Sequence, residues 1–226
     1  MEKTAIIVAG GSGTRFGSAL PKQFVDLCGK PVLMHTIEAF ASEATCIVVV
    51  LPRQQHDLWR QLCLRHNFNI SHQVVAGGDT RFQSVKNALA CLPITRPGDM
   101  IAVHDGVRPL VSPALVSRVF QTAQAHGSVV PVVPLTDSVR MVMPDGTSRA
   151  LERAALRAVQ TPQTFDAQLL LNAYETQELP SFTDDASVVE AAGHCITLVD
   201  GEPTNIKITH PADLLTAQQI LDHAQS

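Results

Sequence analysis

The sequence contains no long apolar run, no closely spaced cysteine pair and no surplus of basic charge. Nothing approaches the ~18 consecutive apolar residues of a membrane-crossing helix, so no membrane span is expected. Cys28, Cys46, Cys63, Cys91 and Cys195 include no CxxC pair and are odd in number. They read as reduced thiols, not as a disulfide framework or a zinc site. The nine histidines form no HExxH or other close metal-ligand pair. A formal charge of −4 gives no general attraction to nucleic acid or anionic lipid, so any polyanion must be met by a local basic cluster. The opening Met1-Glu2-Lys3 and the short apolar Thr4–Val8 lack the length and cleavage pattern of a secretion signal. The expected location is the cytoplasm.

What is present is a core-forming composition. The chain has 226 residues, 45% hydrophobic and 17% charged, which suits a folded domain and excludes a disordered chain. Strand-like runs at Thr4–Ala9, Cys46–Leu51, His72–Ala76, Met100–His104 and Ser128–Val133 alternate with helix-like Val32–Phe40, Gln54–His66, Arg81–Cys91 and Pro113–Ala125. That alternation predicts an α/β fold with a mostly parallel central sheet and helices on both faces. The near-continuous apolar run Cys46–Val50 suits a strand covered on both sides. From Pro134 to Ala158 the rhythm breaks: two short strands flank Pro144-Asp145-Gly146, a turn sequence. A projecting hairpin carrying Val139, Met141 and Val142 needs an apolar partner, and a second copy of the chain is the expected one. Helices at Ala167–Thr176, Asp184–Ala192 and Pro211–His223 follow, with strands at Cys195–Val199 and near Asn205–Thr209. Without a linker or repeat, residues 1–226 read as one domain with residues 134–158 as a projecting dimerisation arm.

Chemistry concentrates first at Ala9-Gly10-Gly11-Ser12-Gly13-Thr14-Arg15, directly after the first strand. Three glycines in four positions let backbone N–H groups curl around an anion. It is not a P-loop, because Gly-Lys-Ser/Thr is absent at the required spacing. Nor is it a dinucleotide fingerprint. The third glycine falls on Phe16, and no acid closes the second strand, which ends in Leu51-Pro52. Instead the loop carries cations, Arg15 and then Lys22 behind Pro21. Nucleotidyl transfer builds negative charge on equatorial oxygens and on departing pyrophosphate, and fixed cations answer that charge.

The blocks Ala-Gly-Gly-x-Gly-Thr-Arg, Pro21-Lys22-Gln23-Phe24 and Gly29-Lys30-Pro31 resemble the opening of the sugar-nucleotide pyrophosphorylase-like nucleotidyltransferases. The Lys22-Gln23-Phe24 step narrows the resemblance to the cytidylyltransferases for 2-C-methyl-D-erythritol 4-phosphate and ribitol 5-phosphate. It continues through Ala76–Val85, His104–Pro109, Gln160–Phe165, Thr183–Ser187 and Asn205–Thr209. The implied architecture is a Rossmann-like nucleotidyltransferase domain with a hairpin arm that reaches across a homodimer. The implied partners are CTP and a polyol phosphate, with Mg²⁺ or another divalent cation, and neither nucleic acid nor membrane. The resemblance assigns Arg15 and Lys22 to the transition state at the α-phosphate. It gives the nucleotide to Ala9, Gly10, Gly11, Gly13, Gly78, Asp79, Arg81 and Ser84. Asp79 or Thr80 equally suits a helix cap. Asp105 is expected near the ribose, the phosphates and the cation, either as a metal ligand or as the partner of Arg108 in a loop-holding ion pair. Arg153 and Lys207 would attract the second phosphate, supported by Arg108, Asp137, Ser138 and Thr161. Ser138 stands where a threonine hydroxyl is common in the family.

No Ser/His/Asp or Cys/His nucleophile set appears, which favours direct displacement. The block Thr183–Glu190 resembles the methylerythritol branch more closely than the ribitol branch. A catalytically silent nucleotide-binding protein of the same fold is the alternative from another class. The set Arg15, Lys22, Arg153 and Lys207 argues against it, because binding alone does not require cations at both substrates. An NAD-dependent oxidoreductase fits the βαβ order but not the failed fingerprint.

Overall fold

The computed structural model describes residues 1–10, 20–93 and 95–224. Strand β1 (Lys3–Val8) is followed by the small pair β2 (Asp26–Leu27) and β3 (Lys30–Pro31), then helix α1 (Val32–Phe40). Next come β4 (Cys46–Leu51), α2 (His56–Arg65), β5 (Gln73–Ala76), α3 (Arg81–Ala90), β6 (Met100–Asp105), α4 (Pro113–His126) and β7 (Ser128–Pro134). The arm holds β8 (Arg140–Val142) and β9 (Ser148–Ala150). The chain finishes with β10 (Arg157–Val159), β11 (Gln163–Asp166), α5 (Ala167–Ala173), α6 (Asp185–Ala191), β12 (Thr197–Asp200) and α7 (Pro211–Ala224).

Strands β6, β1, β4 and β5 are parallel neighbours in that order, so their carboxyl ends share one edge. Side-chain alternation then sorts the core into two layers. Ala5 and Ile7 of β1, Val49 and Leu51 of β4 and Ala102 of β6 pack with Leu33, Ile37 and Phe40 of α1, Trp59 of α2 and Leu115 and Val119 of α4. Ile6, Val48, Val50, Ile101 and Val103 face the other way, onto Val85 of α3, Leu170 of α5 and Val188 and Val189 of α6. The expected α/β architecture with helices on both faces is therefore present. No described helix is long and apolar enough to cross a membrane.

Local signals explain where the helices begin. Thr80 caps α3 by accepting from Gln83 N at 3.1 Å, which settles the choice between Asp79 and Thr80. Ser112 caps α4 ahead of Pro113, and Gly127 closes it at φ 80°, a left-handed conformation that glycine adopts at least cost. Asp184 and Ser187 form a reciprocal capping box on α6.

Some segments differ from the sequence reading. Gln163–Asp166 forms a strand, antiparallel to both β6 and β7 and lying between them. Gln163 and Thr164 are fully buried there, and polar residues in a buried strand leave no apolar run to read. Conversely, Asn205–Thr209 is not a strand. Its backbone is fixed by Ile208 N to Val107 O at 2.9 Å and by side chains, described below. Val129 pairs with both Thr164 and Thr197, and Val132 with both Val159 and Asp200. Strands β10 and β11 therefore share one edge of β7, and β12 takes the other.

The arm leaves the sheet after Pro134 and returns at Arg157, its direct partner in the ladder. Residues 140–150 are exposed throughout. Asp145 Oδ1 accepts from Thr147 N at 2.9 Å and Thr147 Oγ1 at 2.7 Å, and Gly146 supplies φ 82°. The turn sequence thus does what it predicted, although the paired segments are shorter than expected.

Gly106 marks a close approach between two strand ends. A Cβ there would lie 2.7 Å from the Ala9 Cβ and 3.2 Å from Leu33 Cδ1. Gly106→Ala is expected to destabilise by about 1–3 kcal/mol through overpacking, read as a lower urea midpoint. An unchanged midpoint would mean that the two strand ends have room to separate.

Candidate active site

The carboxyl ends of β1, β5 and β6 open onto one cleft of about 340 Å³, lined by Ala9, Gly10, Lys22, Gly78, Asp79, Arg81, Ser84, Asp105 and Lys207. Parallel strands place their chain ends on one edge, and ligands of such sheets bind there. Ala9 N donates to Val50 O at 2.9 Å, and Gly77 N to Leu51 O at 2.9 Å. These bonds carry sheet geometry one residue beyond each strand and set the height of the backbone at Gly10 and Gly78. At Gly78 a Cβ would meet Gln83 Cβ at 2.5 Å, so only glycine lets the turn fold back on α3. The Ser84 hydroxyl then receives Gly78 N at 3.1 Å.

Lys22 begins a short helical turn, Lys22–Phe24, after Pro21. The buried Gln23 anchors that turn, donating from Nε2 to Ala9 O at 2.8 Å and to Gln55 Oε1 at 2.7 Å. Phe24 stacks on Trp59, with centroids 5.9 Å apart and planes at 15°. Two polar contacts from Gln23 and one ring contact thus fix the turn that presents Lys22. Arg15, Gly11 and Gly13 lie outside the described residues.

A second cleft of about 230 Å³ adjoins the first and shares Arg81, Asp105 and Lys207 with it. Its other walls include Arg108, Thr161, Thr183 and Asp184. Asp105 Oδ2 lies 3.0 Å from Lys207 Nζ and 3.2 Å from Arg108 Nε. Burial opposes ionisation of this carboxyl, but Lys207, Arg81 and Arg108 outweigh it and hold the group well below the usual carboxylate range. The expected Asp105–Arg108 ion pair exists, and Lys207 joins it. Arg108 also donates from Nη1 to Asn205 O at 2.7 Å.

Lys207 reaches this position without a strand to carry it. Asn205, fully buried, donates from Nδ2 to Thr161 O at 2.9 Å. Gln160 Nε2 donates to Glu202 O at 2.8 Å, and Gln160 Oε1 accepts from Glu202 N at 3.1 Å. The segment hangs on polar side chains rather than on a ladder.

Thr161 and His104 complete the scaffold beneath Asp105. Asp105 N donates to Thr161 Oγ1 at 3.0 Å, and the same oxygen lies 3.0 Å from His104 Nδ1. His104 Nε2 then donates to Arg108 O at 3.1 Å. The ring is neutral, and burial pushes its pKa down to about 4. Thr161 was expected as a substrate contact. Its hydroxyl borders the second cleft but already serves Asp105 and His104.

The remaining expectations on the arm stand apart. Arg153 donates to the Thr136 carbonyl and is exposed, as are Asp137 and Ser138; none of the three lines either cleft. Among the described residues, no three His, Cys, Asp or Glu side chains gather into a metal-holding group. Sequence reasoning missed the supporting roles of Gln23, His104, Gln160, Asn205 and Asp185. Their only signal was position inside or beside the motif blocks.

Residues 3–223 match the family model described as IspD, 2-C-methyl-D-erythritol 4-phosphate cytidylyltransferase. The chain belongs to this family. A relative from Bacteroides fragilis bearing the same description is 50% identical over 223 residues, spanning 98% of this chain and 100% of its own. One from Porphyromonas gingivalis is 46% identical over 221 residues, 97% of this chain and 98% of its own. Among solved structures, the 2-C-methyl-D-erythritol 4-phosphate cytidylyltransferase of Thermus thermophilus superposes with TM-score 0.79 at 32% identity, covering 98% of this chain and 100% of the other. The 4-diphosphocytidyl-2C-methyl-D-erythritol synthase of Anaerococcus prevotii gives TM-score 0.83 at 27% identity, with 98% of both chains covered. The expected resemblance and fold class are thereby established.

His104 predicts a pH dependence of stability. Its folded pKa of about 4 lies below the unfolded value of about 6.5. The unfolded chain therefore binds the extra proton between these limits, and stability falls as pH drops from about 7 towards 4. The slope contributed by one such group approaches roughly 1.4 kcal/mol per pH unit. Denaturant titrations across this range should show it, and His104→Asn should flatten it. An equally steep slope in the variant would assign the acid sensitivity elsewhere.

Proposed function

We propose that the protein transfers CMP from CTP to 2-C-methyl-D-erythritol 4-phosphate, releasing pyrophosphate. The observation that carries this reading is the pair of adjoining clefts that share Arg81, Asp105 and Lys207. Two anionic substrates repel each other, and a transferase must bring them together with cations that both can see. Family membership supplies the identities of base and acceptor.

In this reading the first cleft takes CTP. Cytosine presents an amine donor and carbonyl and ring-nitrogen acceptors, which the backbone at Ala9, Gly10 and Gly78 and the Ser84 hydroxyl can match in a narrow space. Asp79 and Arg81 complete the nucleotide side, with Gly11 and Gly13 as further backbone donors. A phosphate oxygen of the polyol phosphate attacks the α-phosphorus in line. The new P–O bond forms as the bond to pyrophosphate breaks, and no covalent enzyme intermediate intervenes. Lys22 and Arg15 meet the charge growing on the equatorial and leaving oxygens. Lys207 and Arg108 hold the attacking phosphate, with Thr161 beneath them.

A divalent cation fits as a passenger of the triphosphate. Mg²⁺ keeps several waters and takes one or two carboxylates plus substrate phosphates, and Asp105 is one such carboxylate at the junction. Bound there, the cation would neutralise phosphate charge and polarise the phosphorus centre. The reaction is proposed for the cytoplasm, with neither nucleic acid nor membrane as partner.

The arm favours a homodimer. Met141, Val142 and Met143 are 39%, 72% and 40% exposed, apolar surface that a second copy of the chain would cover. Arg153, Asp137 and Ser138 at the arm's base then serve the neighbour's second cleft.

Pyrophosphate release from CTP and Mg²⁺ should follow addition of 2-C-methyl-D-erythritol 4-phosphate and only weakly that of ribitol 5-phosphate. A preference for ribitol 5-phosphate would displace the proposed acceptor, and tight CTP binding without turnover would favour a silent protein. Lys22→Ala is expected to lower kcat on the order of a hundredfold while changing CTP affinity little; equal losses would make Lys22 a binding residue only. Sedimentation should show a dimer that Val142→Asp dissociates. Mixing inactive Arg153→Ala and Lys22→Ala chains should restore turnover if Arg153 acts across the dimer. No recovery would confine Arg153 to its own chain.

A further inference from the structure

Arg81 occupies an unfavourable place for a cation. It is the first residue of α3, after the Thr80 cap, where the helix dipole presents its positive end. Its side chain is only 27% exposed. Asp185 compensates from across the fold, with Oδ2 2.5 Å from Arg81 Nη2. The other carboxylate oxygen accepts from the Tyr174 hydroxyl at 2.6 Å. Asp185 is fully buried and Tyr174 only 2% exposed. The tyrosine ring stacks on Phe82, the next residue of α3, with centroids 4.8 Å apart and planes at 20°.

As a means of stabilising the fold, this triad is costly. Apolar residues of equal volume do at least as well as a buried ion pair, and losing one partner leaves an uncompensated charge. Its placement explains it better. Arg81 lines both clefts, and Asp185 opens the same helix whose cap, Asp184, walls the second one with Thr183. Burial opposes the charge on Arg81, but the Asp185 carboxylate keeps it firmly protonated. The same carboxylate, adding to burial, keeps the Tyr174 hydroxyl protonated and donating.

We propose that Arg81 is a fixed cation shared by both substrates, and that Asp185 and Tyr174 are positioning residues that hold it at the junction. This rests on the transfer reaction proposed above. Lys207, 46% exposed, offers a compact point charge on a flexible stem. A guanidinium already tied at one edge loses little freedom on binding, and its planar fork offers further N–H donors to oxygens on either side. Charge moving from the triphosphate towards the new bond stays beside the same cation throughout.

The test pairs two variants. Tyr174→Phe keeps the ring on Phe82 and removes only the hydroxyl; Arg81→Lys keeps the charge and removes the fork. Calorimetry reads CTP affinity, and turnover reads kcat and KM for each substrate. Arg81→Lys is expected to weaken CTP binding about tenfold, to raise the KM of the polyol phosphate and to lower kcat on the order of a hundredfold. Tyr174→Phe should reproduce that pattern in smaller measure, with kcat down about fivefold to tenfold in a protein that still melts cooperatively. Variants that lose only melting temperature, with kcat and both KM values intact, would make the triad a packing device and overturn the proposal. An effect confined to CTP would overturn the shared role. Should the wild-type protein release no pyrophosphate, the transfer reaction fails, while unchanged CTP affinity in Arg81→Lys would separately remove Arg81 from the nucleotide cleft.

Discussion

Cations gathered at one point repel one another, and here one carboxylate at their centre offsets that repulsion. Asp105 ends β6, its Oδ2 meets Lys207 and Arg108, and Arg81 faces it across the junction of the two clefts. Three segments far apart in sequence are drawn to one edge of the sheet by this charge. Without it, the positive field that suits two phosphorylated substrates would push its own sources apart. The rest of the site can be understood as support for that one group. His104 and Thr161 brace its backbone, Asn205 and Gln160 bring Lys207 within reach, and Asp185 restrains Arg81.

That support is polar and buried, which sets it apart from the apolar layers on either side of the sheet. Alternating side chains of β1, β4 and β6 specify the two layers by simple period-two burial. The polar scaffold obeys no period. Each member answers another's unsatisfied donor or acceptor, as Gln163 does by holding both Asp184 Oδ2 at 2.8 Å and Ala186 N at 2.9 Å. Buried polar groups are expensive unless paired, so this network fixes one geometry, and that rigidity suits a site whose work is electrostatic.

The same division decides what was legible in the sequence. The parallel strands and their helices announce themselves through apolar runs and caps, and Val32–Phe40 and Cys46–Leu51 are bounded in the fold as they are in the pattern. Lys22 behind the glycine loop and Asp105 at a strand end could be named from residue type and place, whereas Gly78 and Lys207 could be named only through the resemblance of their blocks. Strand β11 could not, because Gln163 and Thr164 disguise it. Nor could the path of Asn205–Thr209, whose anchors are the side chains of Gln160 and Arg108 and the Thr161 carbonyl, distant in sequence. Asp185 and Tyr174 illustrate the limit best. Nothing local links them to Arg81, and only the packing of α5, α6 and α3 against one face of the sheet brings the three together.

The closure of the arm's root has an evolutionary consequence. Because Pro134 and Arg157 are ladder partners, the excursion begins and ends at one point of a completed sheet. Residues between them can lengthen, shorten or change surface chemistry while the ladder around β7 keeps its register. Loop closure of this kind costs free energy only logarithmically in length. Lineages can therefore remodel the surface of the arm without re-solving the catalytic core, and that surface and the chemistry can drift at different rates within one gene product.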